Sequence, residues 1–222
     1  MVKPRVPETE EGIQGEFETQ AYDSMMRLMR NMGWMETSMV IKAGITSGLA
    51  LELGPGPGYL GLEWLKHTQN TTLKGVDISQ DMIGIAERNA GEYRLTDRVE
   101  YVIGNVMEIP FEDEYFDAVF SNGSLHEWAE PEKVLNEVAR VLKPGGRYCI
   151  SDMKRDMNPV VSRFLWLVCR PTSIRPWLIS SINSSYIVSE IEDILSNTKL
   201  QGWQVSKNFI GLVISGQRSE ER

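Results

Sequence analysis

The chain has 222 residues, 41% hydrophobic, 24% charged and 9% aromatic, with 31 acidic against 23 basic side chains and a net charge of −8. A chain of this size buries roughly 70% of its unfolded surface, so it folds without disulfides or a structural metal, and it is too apolar to be disordered. The acidic balance excludes a general nucleic-acid binder, whose surface must displace counterions from phosphates.

Residues 1–16 are polar, carrying Pro4, Pro7 and several glutamates, and are expected to form a flexible acidic tail without the apolar stretch of a secretory signal. Over 17–45 the pattern is helical: Tyr22, Met25, Met26, Met29 and Met32 recur at spacings of three and four, as core or as a lid. From Gly48 onward, short apolar runs alternate with amphipathic stretches. The runs Leu49–Leu53, Thr72–Val76, Val99–Ile103, Phe116–Phe120 and Tyr148–Ser151 are nearly continuous in hydrophobicity, as parallel strands covered on both faces are. Helices are predicted over Gly58–His67, over Ser79–Tyr93 with Ser79 as N-cap, and over Glu130–Leu142 with Pro131 in its first turn. Lys143-Pro144-Gly145-Gly146 is expected to stop the last of these.

Residues 153–187 read as irregular helices, and Ser189 with Glu192 reads as a capping box opening a helix to about Asn197. Trp203–Phe209 and Leu212–Ser215 follow as a hairpin. The expected fold is therefore α/β: a doubly wound, mostly parallel seven-stranded sheet, helices on both faces, and an antiparallel C-terminal edge hairpin. It divides into a helical lid at 17–45, a core at 48–152, a helical insertion at 153–187 and a terminal helix and hairpin at 188–216, all within one domain over 17–222. Cys149 and Cys169 form no CxxC pair, so no metal site is expected and a reducing, cytoplasmic compartment is. The strongly apolar run Phe164–Cys169 is too short to span a bilayer.

The strongest chemical signal is Glu52-Leu53-Gly54-Pro55-Gly56-Pro57-Gly58, between the first strand and the first core helix. A tight turn needs one glycine or two; three at alternate positions behind an acidic residue favour the close approach of a nucleotide-like ligand. Gly56–Gly61 also matches the GxGxxG of dinucleotide folds, which keeps an NAD(P)-dependent oxidoreductase open. Asp77, ending the second strand, either accepts hydrogen bonds from a ribose diol or caps the next helix.

With GVDIS followed by Met82, GNVMEIPF, FDAVFSNGSLHEW and VLKPGG added to ELGPGPG, the chain resembles the class I S-adenosylmethionine-dependent methyltransferases. The likeness is to their small-molecule branch, which includes ubiquinone/menaquinone-type enzymes (methyltransferase type 11), and it runs from Leu49 to Asp152. It implies a Rossmann-like fold, S-adenosyl-L-methionine as cofactor and S-adenosyl-L-homocysteine as product. By the same resemblance Gly54, Pro55, Gly56 and Gly58 pass the methionine moiety, Glu52 lies near its amino group, and Asp77 takes the ribose. Ile78 and Met82 sandwich the adenine, Asn105 and Val106 flank its edge, and Ser121 lies beside the sulfonium arm. Tyr22 belongs to the lid. Asn105 departs from the aspartate common in the family, although its amide oxygen still accepts a hydrogen bond. No lysine lies between Leu49 and Trp64, which suits a cofactor without phosphates.

His126 and Asp152 are the catalytic candidates, His126 as a base or as cofactor-pocket packing, Asp152 as an orienting carboxylate or a solvated strand end. Phe164, Trp166 and Trp177 beside Arg163, Arg170 and Arg175 suit an aromatic or lipid-like small-molecule acceptor; a lid or homodimer surface is the competing expectation, and a peripheral membrane contact is a further one. A non-catalytic S-adenosylmethionine-binding sensor or assembly protein also stays open. The oxidoreductase reading asks for a Tyr-x-x-x-Lys after the fourth or fifth strand, and the sequence has none.

Overall fold

The computed structural model describes residues 3–8 and 12–220. Seven strands form one sheet: β1 Gly48–Leu53, β2 Thr71–Asp77, β3 Val99–Ile103, β4 Phe116–Asn122, β5 Leu142–Met153, β6 Gln204–Lys207 and β7 Gly211–Gln217. Their order is β3-β2-β1-β4-β5-β7-β6. The first five are parallel, while β7 runs antiparallel to both β5 and β6, so the edge hairpin expected from the sequence is present. The order reverses between β1 and β4, which leaves a crevice beyond their carboxyl ends.

The helices are α1 Glu16–Asn31, α2 Thr37–Lys42, α3 Tyr59–His67, α4 Gln80–Tyr93, α5 Pro131–Val141, α6 Pro159–Val168, α7 Arg175–Ser184 and α8 Val188–Ser196. The sheet residues alternate between two cores. Leu51, Leu53, Val119 and Ile150 pack with Val134, Leu135 and Val138 of α5 and Ile191 of α8. Ala50, Ala118, Phe120 and Cys149 pack on the other face with Val40 of α2 and Leu60, Trp64 and Leu65 of α3. Trp64 is fully buried because its indole N–H also has a partner, the Ile45 carbonyl at 2.8 Å. Among the described residues, no helix is long and apolar enough to cross a membrane.

Four local expectations are corrected. The helical stretch over 17–45 breaks into α1 and α2 around Gly33, which sits at φ 72°. β5 starts at Leu142 rather than Tyr148, because a register shift between Phe116 and Ala118 of β4 absorbs the Lys-Pro-Gly-Gly segment within the strand. The helix cap at α8 uses Glu190 and not Glu192: its carboxylate accepts from the Ile187 N–H at 3.1 Å, since the backbone is already helical at Val188.

The fourth correction concerns the N-terminus. Its described residues are docked along the crevice rather than free. The Arg5 guanidinium donates to the His126 carbonyl at 2.8 Å and covers the Tyr186 ring at 4.1 Å, and the Val6 N–H donates to the Asn183 carbonyl at 3.1 Å. Further along, the Ser79 hydroxyl donates to the Ile13 carbonyl at 2.7 Å, and the Gly15 N–H donates to Asp81 at 2.9 Å. Single charges and backbone groups hold this strap, so hydropathy does not reveal it.

Candidate functional site

The crevice is partly open to solvent and is lined from the ends of β1, β2 and β4 and from α1. Its floor is the loop after β1. The Gly54 N–H donates to the Val76 carbonyl at 2.9 Å, which ties the loop to β2. Gly54 takes φ 61°, and a Cβ there would lie 2.7 Å from the Ser124 side chain, so this turn requires glycine. Gly58, at φ 81°, opens α3 and packs on Tyr101 beneath the loop. It shapes the turn without lining the crevice.

The acidic residues at the strand ends have distinct surroundings. Asp77 is buried and accepts from the Gly56 N–H at 3.0 Å and the Ser79 N–H at 2.9 Å. It therefore braces the glycine loop and caps the turn into α4. Burial holds its carboxyl above the usual aspartate range, opposed by those N–H groups. Glu52 is only 2% exposed, and its Oε2 has no hydrogen-bond partner in the protein. Burial, with Asp77 nearby, pushes it up to about 8 against one hydrogen bond from the Gly61 backbone. That oxygen is turned toward Gly61 of α3, where a Cβ would lie 2.2 Å from it, while the residue as a whole lines the crevice.

The apolar part is built from Ile78, 40% exposed where it faces the crevice, and the buried Met82. Gly104, Asn105 and Val106 complete this end. The Asn105 side-chain oxygen Oδ1 accepts from the Met107 N–H at 2.9 Å, which fixes the loop after β3. Tyr22 and Met26 of α1 close the crevice from above, with Gly12 and Ile13 of the strap beside them. Asp23 anchors α1 over the loop by accepting from the Tyr59 hydroxyl at 2.9 Å, Asn89 at 3.1 Å and Arg88 at 2.8 Å. Burial, reinforced by Glu127, Asp152 and Asp77, raises the Tyr22 phenol, which stays neutral.

Of the expected site residues, Glu52, Gly54, Pro55, Gly56, Asp77, Ile78, Met82, Asn105, Val106 and Tyr22 line the crevice together. Gly58, Ser121, His126 and Asp152 do not. The Ser121 hydroxyl lies one layer below, donating to the Leu53 carbonyl at 2.8 Å, where it joins β4 to β1. His126 is 4% exposed, with Nδ1 2.9 Å from Asp152 and Nε2 3.4 Å from Glu8 of the strap. Asp152 also accepts from the His126 backbone N–H at 2.8 Å. Burial pulls the imidazole down, but Asp152, Glu8 and Glu127 outweigh it and hold His126 well above the ordinary histidine range. With Nδ1 on Asp152 and Nε2 facing Glu8, the ring clamps the strap to the end of β5.

Sequence reasoning missed Glu127, Trp128 and, from the strap, Gly12 and Ile13, all of which line the crevice. Burial, with Glu8, Asp152 and Asp77 and against the pull of His126, pushes Glu127 up to about 7. Its position directly after His126 was the available signal. Three carboxylates, on Glu52, Asp77 and Glu127, line the crevice, and no described lysine or arginine does.

Comparison with known proteins agrees with this geometry. The family described as methyltransferase domain matches residues 51–150. Demethylmenaquinone methyltransferase of Bacillus licheniformis is 30% identical over 159 residues, covering 68% of this chain and 67% of the relative. A ubiquinone/menaquinone biosynthesis C-methyltransferase of Roseobacter denitrificans is 28% identical over 166 residues, 71% of this chain and 66% of that protein. Across the curated relatives compared, the chain spans 37% to 67% of their own length. The structure of a S-adenosylmethionine-dependent methyltransferase from Aquifex aeolicus superposes with a TM-score of 0.68 at 20% identity, covering 92% of this chain and 99% of that one, which establishes the shared fold.

Proposed function

Because this chain belongs to the class I S-adenosylmethionine-dependent methyltransferases, we propose that it transfers the methyl group of S-adenosylmethionine to a small-molecule acceptor by in-line displacement, leaving S-adenosylhomocysteine. The observation that carries this reading is the lining, where Glu52, Asp77 and Glu127 meet no described lysine or arginine, which suits a phosphate-free, cationic ligand and disfavours a pyrophosphate. When bound, the cofactor supplies a methyl group already activated on a sulfonium. The residues that would hold it are Glu52 at the amino end, the Gly54–Gly56 backbone, Asp77 at the ribose, and Ile78 and Met82 at the adenine. Tyr22, Met26 and the strap exclude water, and alignment with desolvation accounts for up to about 7–11 kcal/mol of barrier lowering in well-oriented systems.

If the acceptor must lose a proton, Glu127 is the carboxylate placed on the crevice wall to take it, at a pKa of about 7. A quinone-like or other apolar acceptor is supported by the names of the relatives, whereas Phe164, Trp166, Trp177, Arg163, Arg170 and Arg175 lie outside the crevice lining. His126 and Asp152 act behind this wall as positioning groups.

Titration calorimetry tests the reading: S-adenosylmethionine should bind and NADH should not, and the reverse result overturns it. The same titration has an internal check. Free Glu52 is mostly protonated at neutral pH, and an ammonium beside it favours the ionised form, so binding should release about one proton at pH 7. The heat should then vary with the ionisation enthalpy of the buffer, and Glu52→Gln should abolish that variation. Binding without proton release removes Glu52 from the amino end.

A further inference from the structure

Helix α6 packs on α7 along one side only. It is the sequence Pro-Val-Val-Ser-Arg-Phe-Leu-Trp-Leu-Val, yet none of its ten residues is buried. Val160 is 76% exposed, Phe164 55% and Leu167 49%. At spacings of four and three these residues share one helix face, and the exposed Arg163 lies between them. A soluble helix normally turns its apolar stripe inward; here the stripe faces out.

The charge around it is as unusual as its hydrophobicity. From Met157 to Ser189 the chain carries three arginines, Arg163, Arg170 and Arg175, and no aspartate, glutamate or lysine, although the whole chain has a net charge of −8. Among the described residues none of the three is ion-paired. Arg163 and Arg175 instead cover the two sides of the Trp166 environment, at 4.8 Å and 4.2 Å from its ring. Arg170 and Arg175 both donate to the Leu167 carbonyl at the end of α6, at 2.9 Å and 3.0 Å. A basic, acid-free segment on an acidic protein selects an anionic partner, and its apolar stripe asks for a hydrocarbon one.

We propose that α6 is an interfacial helix that docks this protein on an anionic lipid bilayer, with Val160, Phe164 and Leu167 entering the acyl boundary and Arg163, Arg170 and Arg175 among the headgroups. Arginines reach outward from such a helix while their stems cover apolar surface, and tryptophan sits at the same depth. A second copy of the chain is disfavoured as occupant, because a two-fold contact through this face brings arginine-bearing surfaces together with no carboxylate of the segment to pair them. The placement also has a consequence for the crevice: α7, which packs on α6, also packs on the turn Leu125–Glu127 at the crevice wall. The docking itself stands on α6 alone and does not depend on methyl transfer.

Co-sedimentation of the full chain with phosphatidylcholine vesicles, with and without phosphatidylglycerol, tests this. Binding is expected only to the vesicles containing phosphatidylglycerol and should weaken as salt rises. Phe164→Ser with Leu167→Ser should lower the partition coefficient roughly tenfold or more. Arg163→Gln with Arg170→Gln should lower it about fivefold per arginine. Both pairs are exposed, and an unchanged melting temperature confirms that each variant folds. Three results overturn the proposal: no sedimentation with anionic vesicles, equal binding to neutral ones, or no vesicle binding together with a dimer in light scattering that Phe164→Ser with Leu167→Ser dissociates.

Discussion

Asp77→Ala is expected to weaken S-adenosylmethionine binding by at least about tenfold and up to about 150-fold, the equivalent of 1.5–3 kcal/mol for a lost hydrogen bond to a charged group. The upper part of that range is the better expectation for this protein. Asp77 does not only face the ribose position; its two oxygens also hold the Gly56 and Ser79 N–H groups at 3.0 Å and 2.9 Å. Removing them releases the glycine loop and the first turn of α4 at once, so the variant loses a contact and the preorganisation of its neighbours. Asp77→Asn separates the two contributions. Its amide oxygen keeps one acceptor for the backbone while the charge is gone, so its affinity should fall between those of wild type and Asp77→Ala. Calorimetric titration of both variants measures this, and unchanged affinity in Asp77→Ala removes the residue from the ribose position.

That experiment also marks where sequence reasoning reached and where it stopped. The glycine loop, Asp77 and the hairpin at the sheet edge were legible because each depends on local constraints: a turn needing φ above zero, a carboxylate at a strand end, an alternating run after a glycine. The strap was not legible. Its contacts join residues far apart in the chain, such as Glu8 with His126, and rest on charge and backbone rather than on a repeated apolar pattern. His126 shows the same limit from the other side. Its place after β4 is legible and its neighbours are not, and it is the neighbours, Asp152 and Glu8, that make the ring a clamp for the strap. The outward stripe of α6 carried a visible composition, but only the fold shows that nothing covers it.

Asp152→Ala should be the most destabilising substitution considered, at about 3–5 kcal/mol, because it leaves the buried His126 imidazolium without its main counter-charge. For a domain of this size that corresponds to a melting temperature lower by roughly 6–20 °C. The pH dependence identifies the cause. His126 has a folded pKa raised above its ordinary 6.5, so the fold binds its proton more tightly than the unfolded chain does. Its contribution is fully present below about pH 6.5 and is lost as the pH climbs through the folded value. Glu8 works in the opposite sense. Burial raises its pKa, but the hydrogen bond and charge of His126 win and hold it below 4.5, so its contribution is present above that value and lost as the pH falls through the lowered one. Denaturant unfolding between about pH 6 and about pH 9 should therefore show wild-type stability declining, with a shallower decline in His126→Gln. Glu8→Gln should keep most of the decline, since Asp152 alone still favours the imidazolium, while hydrogen exchange at residues 3–8 speeds up as the strap loosens. An equal pH slope in wild type and His126→Gln would exclude the clamp, and would leave the fold of the N-terminal strap to Arg5 and its contacts with His126, Tyr186 and Ser184.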